Sequence, residues 1–211
     1  CMTADKERTC KTFAITSSKP SEGKSLTAAN VAISYAMLGK KVLLIDADMR
    51  KPTQRRLWKV ELTVGLCDFL AKIWKLEIAK VQDLPLWIVC TGTIPPNPSE
   101  LLASDRMKVF VRECAKVYDY VIIDTPPINT VADAQIAAAY VDGVVLVATS
   151  GYTSADELMA AIDAVHQVGG NLCGVVLNDL NMKSVKYSYK YKYGDKYGYK
   201  YGYSDAYETH K

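Results

Sequence analysis

The stretch ITSSKPSEGKS, residues 15–25, decides the fold, because an apolar run opens there into a loop that ends in Gly23-Lys24-Ser25. A β-prone run precedes the loop, and apolar residues at helical spacing follow it over residues 25–39. In this context G-x-x-x-x-G-K-[ST] predicts a phosphate-binding loop, in which backbone N–H groups surround the phosphates, the lysine reaches them and the hydroxyl binds Mg²⁺. The match is imperfect, since Ser18 stands where the pattern has its first glycine.

Two further apolar runs end in aspartates. Residues 42–45 lead into Asp46 and Asp48, and residues 121–123 lead into Asp124. The alternation of apolar strands and helical patterns predicts an α/β fold with a mostly parallel central sheet and helices on both faces. Since ligands bind beyond the carboxyl ends of such strands, we expect all three carboxylates beside the loop.

Other segments carry weaker predictions. Strands are expected at residues 87–92, 143–149 and 170–179, and helices at 104–117, 132–139 and 154–168, with Ser99 as an N-cap. Five apolar residues of segment 64–74 are expected in the core: Val64, Leu66, Phe69, Leu70 and Trp74. Cys114 and Cys173 fall in apolar patterns and are expected to pack as small hydrophobes.

The composition excludes several classes of protein. With 211 residues, of which 49% are hydrophobic and 23% charged, the chain suits one sizeable soluble domain. No apolar run is long enough to span a bilayer, and residues 1–10 lack the apolar core of a signal peptide. Six scattered cysteines with no C-x-x-C pair give neither a zinc site nor a thiol redox motif. The first residue is Cys1, which leaves open whether residues 1–10 are the remnant of a longer N-terminal segment.

The net charge of +3 is unevenly distributed. Residues 183–211 hold seven Lys against two Asp and one Glu, a balance of +4, so the remainder is near −1 and gives no footprint for nucleic acid. We therefore divide the chain into an N-terminal segment (1–10), a P-loop domain (11–181) and a tyrosine-rich tail (182–211).

The tail holds nine of the 14 tyrosines and almost no aliphatic residue, so we expect it to be disordered. Its tyrosines are Tyr187, Tyr189, Tyr191, Tyr193, Tyr197, Tyr199, Tyr201, Tyr203 and Tyr207. Such a tether could carry phosphate acceptors to an active site, or it could be an unmodified, adhesive low-complexity tract.

Phosphoryl transfer needs the phosphates held in line, a metal bridging their oxygens, and a base for the attacking hydroxyl. Lys24 supplies positive charge, Ser25 a hydroxyl for Mg²⁺, and Asp124 a metal-supporting carboxylate. Asp46 and Asp48 are candidates for the base and a second metal support. Taken singly, each could be a turn residue, a helix cap or a surface charge.

Four motifs taken together carry a resemblance: KPSEGKS, LLIDADMRKP, PPNPSELLAS and VIIDTPP. With the tyrosine-rich C-terminus, they closely resemble the bacterial tyrosine kinases of capsule and exopolysaccharide synthesis, which are related to the deviant P-loop ATPases of chromosome partitioning and division-site selection. The resemblance covers essentially residues 11–211. It implies a Walker A loop at 18–25, an A-prime motif at 45–52 and a Walker B strand at 121–124.

The same resemblance implies roles for individual residues. Lys24 would be the phosphate lysine, Asp46 the hydroxyl-activating base, and Ser25, Asp48 and Asp124 the metal-binding set, although the division between Asp46 and Asp48 stays open. ATP and Mg²⁺ are the implied cofactors, and the implied nucleotide-binding residues are Ser18, Lys19, Pro20, Ser21, Glu22, Gly23, Lys24, Ser25, Leu26, Arg50 and Asn178.

Three of these assignments are less specific, and one of them is Arg50, which only matches a position near the nucleotide. Lys19 stands where partitioning ATPases carry a lysine that reaches a partner's nucleotide, but a solvated surface lysine fits equally well. Asn178 resembles a strand-end residue that reads adenine.

The implied activity is ATP-dependent autophosphorylation of the C-terminal tyrosines, with regulation of polysaccharide synthesis and export. The implied partners are a transmembrane adaptor, a cognate tyrosine phosphatase and other protomers in trans, although residues 1–10 hold only fragments of the helix that packs such protomers. This places the chain in the cytoplasm, at the inner face of the membrane. The alternatives are a partitioning-type ATPase switch and a non-catalytic nucleotide sensor.

Overall fold

Strands and helices alternate along residues 11–180, which are the residues that the computed structural model describes. The strands are β1 (Thr12–Ser17), β2 (Val42–Asp46), β3 (Ala79–Lys80), β4 (Leu86–Val89), β5 (Tyr120–Asp124), β6 (Gly143–Thr149) and β7 (Leu172–Asn178). The helices are α1 (Lys24–Met37), α2 (Gln54–Trp58), α3 (Leu66–Leu70), α4 (Pro98–Ala103), α5 (Asp105–Val117), α6 (Asp133–Ala138) and α7 (Ala155–Gln167). The nine tail tyrosines and the segment 1–10 lie outside the described residues.

The seven strands form one sheet in the order β3-β4-β2-β5-β1-β6-β7. Every pairing is parallel except that between β3 and β4. The carboxyl ends of β1, β2 and β5 therefore meet at one edge, and Asp46 is the register partner of Asp124. The mostly parallel P-loop fold expected from the sequence is confirmed.

Both faces of the sheet are covered. In β2, Leu43 and Ile45 pack on the side of α5, while Val42 and Leu44 pack against α1. Helix α1 turns four alanines towards the sheet, at positions 28, 29, 32 and 36, and these small side chains let the helix lie close to β1 and β5. Burial on both faces explains why the strands are continuous apolar runs.

Several local predictions need correction. Asn97, not Ser99, is the N-cap of α4, because Pro98 occupies the first helical position. Helix α5 begins at Asp105, with Ser104 accepting a hydrogen bond from the Met107 N–H. The strand predicted at 143–149 matches β6, whereas the two-residue strand β3 was not predicted.

The core also differs in detail from its prediction. Leu66 and Leu70 are buried and Phe69 packs beside them, but Trp74 is 64% exposed, because helix α3 ends at Leu70. Val64 is only half-buried. Cys114 is buried as expected, whereas Cys173 is exposed on the edge strand β7. Within residues 11–180, no helix has the length and apolar character needed to cross a membrane.

Candidate functional site

The phosphate-loop sequence connects β1 to α1, as its motif predicts. Gly23 precedes the helix with φ of 83°, a left-handed conformation that favours glycine. A Cβ atom at this position would also collide with the Asn178 side-chain amide, which donates a hydrogen bond to the Glu22 carbonyl oxygen at 3.2 Å. Asn178 therefore contacts the loop from the end of β7.

Glu22 is fully buried and braces the loop from within. Its carboxylate accepts hydrogen bonds from the Ser18 hydroxyl at 2.8 and 2.9 Å and from the Lys19 N–H at 2.9 Å. The Thr153 hydroxyl donates to the same carboxylate. Ser18 at the first-glycine position thus has a structural partner, and the side chains of Ser18 and Glu22 are engaged inside the protein.

Lys19 contacts the start of α7. Its ammonium lies 2.8 Å from Glu157 Oε2 and 2.8 Å from the Tyr152 carbonyl oxygen, and 4.1 Å from the centroid of the Tyr152 ring. The hydrogen bond from Lys19, with others from Ser154, lowers the pKa of Glu157 to about 2. In this structure Lys19 is held by its own chain.

Lys24 is the centre of the charged site. Its ammonium lies 2.8 Å from Asp48 Oδ2, 3.6 Å from Asp124 Oδ1 and 3.1 Å from the Ser25 hydroxyl. Burial alone would lower the pKa of Lys24, but the charges of Asp124 and Asp48 outweigh burial and raise it. Lys24 is therefore a firmly protonated cation among carboxylates.

Asp46 lies behind this ion pair and is fully buried. Its Oδ2 accepts hydrogen bonds from the backbone N–H groups of Thr53 at 3.0 Å and Gln54 at 2.8 Å, while Oδ1 has no hydrogen-bond partner. Burial, reinforced by the charge of Asp124, raises the pKa of Asp46 to about 7. This carboxyl group can change its protonation state near neutral pH.

Asp124 is also fully buried. Its Oδ2 accepts a hydrogen bond from the Gln54 side chain at 2.8 Å, and its Oδ1 has no hydrogen-bond donor. Burial raises the pKa of Asp124, and the nearby Lys24 opposes that rise. Asp46 Oδ1 and Asp124 Oδ1 thus each lack a hydrogen-bond donor in the protein interior, although Asp124 Oδ1 lies 3.6 Å from the Lys24 ammonium.

The oxygen donors beside the phosphate loop suit a hard cation. Mg²⁺ prefers oxygen ligands, keeps several waters and takes one or two carboxylates together with substrate phosphates. Ser25, Asp48 and Asp124 offer such donors beside the phosphate loop. Among residues 11–180, no group of three or more His, Cys, Asp or Glu side chains is arranged to hold a metal unaided. The arrangement fits an ion that is shared with a phosphate ligand.

A cavity of about 460 Å³ opens in front of Lys24. Asp48, Arg50, Lys51 and Arg56 supply its charged lining, which carries more positive than negative charge. The other predicted nucleotide residues at its wall are Pro20, Ser21, Gly23, Ser25 and Leu26. The predicted site residues Lys24, Asp48 and Arg50 therefore share one cavity with this part of the loop.

Arg50 is fixed by a contact that the sequence did not predict. Its guanidinium donates to both carboxylate oxygens of the buried Asp133, at 2.8 and 3.0 Å, and to the Ser99 hydroxyl at 3.0 Å. Ser99 in turn donates to Asp133 at 2.5 Å. The PPNPSELLAS segment therefore helps to position Arg50 at the cavity.

The sequence also did not predict that Gln54 and Thr53 contact the site. The Gln54 amide bonds to Asp124 and, at 3.0 Å, to the Ser25 carbonyl oxygen, while the Thr53 hydroxyl donates to the Ser25 hydroxyl at 2.9 Å. Their only signal in the sequence is their position shortly after the LLIDADMRKP motif.

Comparison with known proteins agrees with this geometry. A family model described as AAA domain matches residues 10–172. The chain is 44% identical to the tyrosine-protein kinase YwqD of Bacillus subtilis over 88% of its length and 80% of the relative's. It is 38% identical to the Staphylococcus aureus protein named putative tyrosine-protein kinase CapB, over 89% of this chain and 84% of that one.

Solved structures agree as well. The kinase domain of the Escherichia coli tyrosine kinase ETK superposes with a TM-score of 0.81 at 34% identity, covering 88% of this chain and 74% of that one. With the phosphate loop, the strand-end aspartates and these relatives in agreement, the chain belongs to the bacterial tyrosine-protein kinases.

Proposed function

We propose that the chain transfers the γ-phosphoryl group of ATP, with Mg²⁺, to tyrosine hydroxyls of the cluster in residues 182–211, and that this reaction regulates capsular or exopolysaccharide synthesis. The observation that carries the proposal is the pair of ion pairs that the Lys24 ammonium forms with Asp48 and Asp124, with Asp46 buried beside Asp124, at the carboxyl ends of β2 and β5. A cation for the phosphates and a metal-supporting carboxylate thereby line one cavity, and a candidate base lies buried beside them.

Lys24 and the backbone N–H groups of the loop bind the phosphates in this proposal. Ser25, Asp48 and Asp124 hold the metal, which when bound neutralises the charge that develops on the phosphate oxygens. Arg50, held by Asp133, adds a planar cation at the cavity wall. Asn178 lies at the loop end of β7, where an adenine ring would be read.

Asp46 is the proposed base. As the tyrosyl oxygen bonds to the γ-phosphorus and the bond from that phosphorus to the oxygen of ADP breaks, the tyrosyl proton passes to the carboxylate. A pKa near 7 suits this task, because a base is most effective when its pKa is close to the working pH. Asp48 is the second candidate, because it lines the cavity directly.

The nine tail tyrosines are the proposed acceptors. Each phosphate adds roughly −1.5 to −2 charges, so full modification would move the tail from +4 to roughly −10. A change of that size would alter any association that depends on the tail lysines.

Phosphotyrosine mapping after incubation with ATP and Mg²⁺ tests the proposal. We expect labelled tail tyrosines in the native chain, no label in Lys24→Met, and normal labelling in Lys40→Met, which alters an exposed lysine before β2. Phosphate released only to water would favour the ATPase switch, and tight ATP binding without turnover would favour the sensor. Persistent labelling of pure Lys24→Met would show the site assignment to be wrong.

The partners and location proposed for the chain are a transmembrane adaptor, other protomers that present their tails in trans, and a tyrosine phosphatase, at the cytoplasmic face of the membrane. Adding the cytoplasmic segment of an adaptor should raise the labelling rate. Mixing Lys24→Met with an active chain should label the inactive one if transfer occurs in trans.

A further inference from the structure

A second cavity of about 560 Å³ lies beside the first, between the region of α2 and the segment that follows β4. Its basic lining residues are Arg55, Arg56 and Lys59, against one acidic residue, Glu61. Arg56 also lines the cavity in front of Lys24, so the two cavities are neighbours. Neither Lys24 nor the aspartates Asp46, Asp48 and Asp124 line this second cavity.

Its cations are available to a ligand. Within residues 11–180, neither Arg55, Arg56 nor Lys59 takes part in an ion pair. Part of the cavity lining is apolar: it includes the hydrophobic side chains of Val60 and Ile94, together with Cys90, which is 1% exposed. Unpaired cations around partly apolar walls suit a ligand that combines an aromatic ring with a strong negative charge.

A residue of the cavity wall is hydrogen-bonded to the end of β2, the strand that carries Asp46. Thr91, which is 2% exposed, donates a hydrogen bond to the Asp46 carbonyl oxygen at 2.9 Å. Arg55 lies near enough to Cys90 to oppose the rise in the thiol pKa that burial causes. The wall and the basic side chains therefore belong to the same short region around the end of β2.

We propose that this cavity binds a phosphotyrosyl side chain of the tail sequence, the product of the adjacent site. The proposal rests on the proposed function. An unmodified tail carries +4 and would be repelled by the basic lining, whereas a tyrosine phosphate adds a dianionic group that arginine and lysine bind well. Binding would thus follow modification.

The spacing of the tyrosines gives this site a consequence. Eight of the nine stand in two runs with every second residue a tyrosine, 187–193 and 197–203. In an extended chain, residues two apart are separated by roughly 7 Å. A phosphotyrosine held in the second cavity would keep nearby tyrosines of the same segment close to Lys24, so one phosphorylation would favour the next.

A binding experiment tests the site without requiring catalysis. The full chain carrying Lys24→Met is titrated with a fluorescent peptide of residues 196–204, either unmodified or phosphorylated at Tyr199. We expect the phosphorylated peptide to bind at least about tenfold more tightly, and Arg55→Gln with Lys59→Gln to remove most of that advantage. The matched control, Lys40→Gln with Lys75→Gln, removes two exposed lysines elsewhere and should keep it.

Three results would overturn the proposal. The first is equal affinity for both peptides. The second is competition by inorganic phosphate as effective as by free phosphotyrosine, which would reduce the cavity to a general anion site. The third is competition by ATP but not by free phosphotyrosine, which would show that the cavity binds nucleotide.

A kinetic experiment separates this inference from the proposed function. The native chain is given the unmodified and the singly phosphorylated peptide, and the ratio of the two labelling rates is compared between native and Arg55→Gln/Lys59→Gln chains. We expect a ratio well above one that falls towards one in the variant. Labelling with a ratio of one would refute priming but leave the kinase function, whereas selective binding without labelling would refute only the kinase function.

Discussion

The side-chain amide of Gln54 donates a hydrogen bond to Asp124 Oδ2 at 2.8 Å, although the two residues are 70 positions apart in the chain. The same amide bonds to the Ser25 carbonyl oxygen, and the Gln54 backbone N–H bonds to Asp46. One buried residue therefore joins the phosphate loop to the carboxyl ends of β2 and β5.

Replacing Gln54 with leucine should lower both stability and activity. Leucine has a similar volume but no donor, so Asp124 Oδ2 and the Ser25 carbonyl would lose partners in the interior, at a cost of about 1–3 kcal/mol. We expect a lower urea midpoint and a loss of tail labelling of about tenfold or more. Gln167→Leu, at the exposed end of α7, is the control. An unchanged labelling rate would mean that Gln54 does not position the site.

Replacing Asp46 with asparagine should stabilise the ligand-free protein at pH 8. The pKa of Asp46 rises from its usual value, about 4, to about 7 on folding, so the unfolded state loses its proton first as the pH increases. The unfolding free energy therefore falls as the pH rises from about 4 to about 7, and above pH 7 the whole of this loss remains. We expect a gain of roughly 1–4 kcal/mol at pH 8 and little change at pH 4.

Thermal unfolding of both proteins from pH 4 to pH 9 measures this difference. Asp119→Asn, at the amino end of β5, serves as a control at an aspartate outside the cavity. A difference between Asp46→Asn and the native chain that does not vary with pH would show that folding leaves the pKa of Asp46 unchanged. The same variant should lose tail labelling if Asp46 is the base.

Removing the Glu22 side chain should loosen the phosphate loop. Glu22→Ala leaves the Ser18 hydroxyl, the Lys19 N–H and the Thr153 hydroxyl without their shared acceptor. We expect a loss of about 1–3 kcal/mol in unfolding free energy and weaker ATP binding, by about tenfold, measured by calorimetry. Glu113→Ala, which removes an exposed carboxylate, is the control. Unaltered ATP affinity in Glu22→Ala would show that the loop holds its shape without this brace.

The positions of the strands that carry the site could be predicted because their residues obey local rules. Residues 143–149 are apolar on both faces and form β6, and the runs before Asp46 and Asp124 form β2 and β5. Trp74 was misplaced, because an apolar pattern does not show that α3 ends at Leu70. Cys173 was predicted to pack in the core but is exposed, because its strand, β7, lies at the edge of the sheet.

The charged residues of the site could be found from the motifs, but their partners could not. Nothing near Arg50 in the sequence points to Asp133, which is 83 residues away. The packing of α6 against α4 brings Asp133 beside Ser99, and Arg50 contacts both from the segment after β2. Glu22 was counted among the nucleotide residues because it lies in the loop, whereas its side chain contacts the interior. Sequence spacing thus located the site, and tertiary packing decided which side chains face the cavity.

Adding ATP with Mg²⁺ should stabilise the chain more than ATP with a chelator. Asp46, Asp48 and Asp124 form a buried, carboxylate-rich site, and a cation shared with phosphate would offset their negative charge. At a ligand concentration of 100 times Kd, binding adds about 2.7 kcal/mol, which raises Tm by several degrees. Differential scanning fluorimetry with and without EDTA measures the metal-dependent part.

Ser25→Ala should remove most of the metal-dependent part of that shift and leave the part due to nucleotide alone. The reason is that the hydroxyl lies at the site, 2.9 Å from Thr53 Oγ1 and 3.1 Å from the Lys24 ammonium, where it can bind the metal. Ser34→Ala, on the same helix, removes a hydroxyl that donates to the Asn30 carbonyl oxygen, and should keep the full shift. A Tm increase that is the same with EDTA as with Mg²⁺ in the native chain would contradict a metal site at Ser25, Asp48 and Asp124.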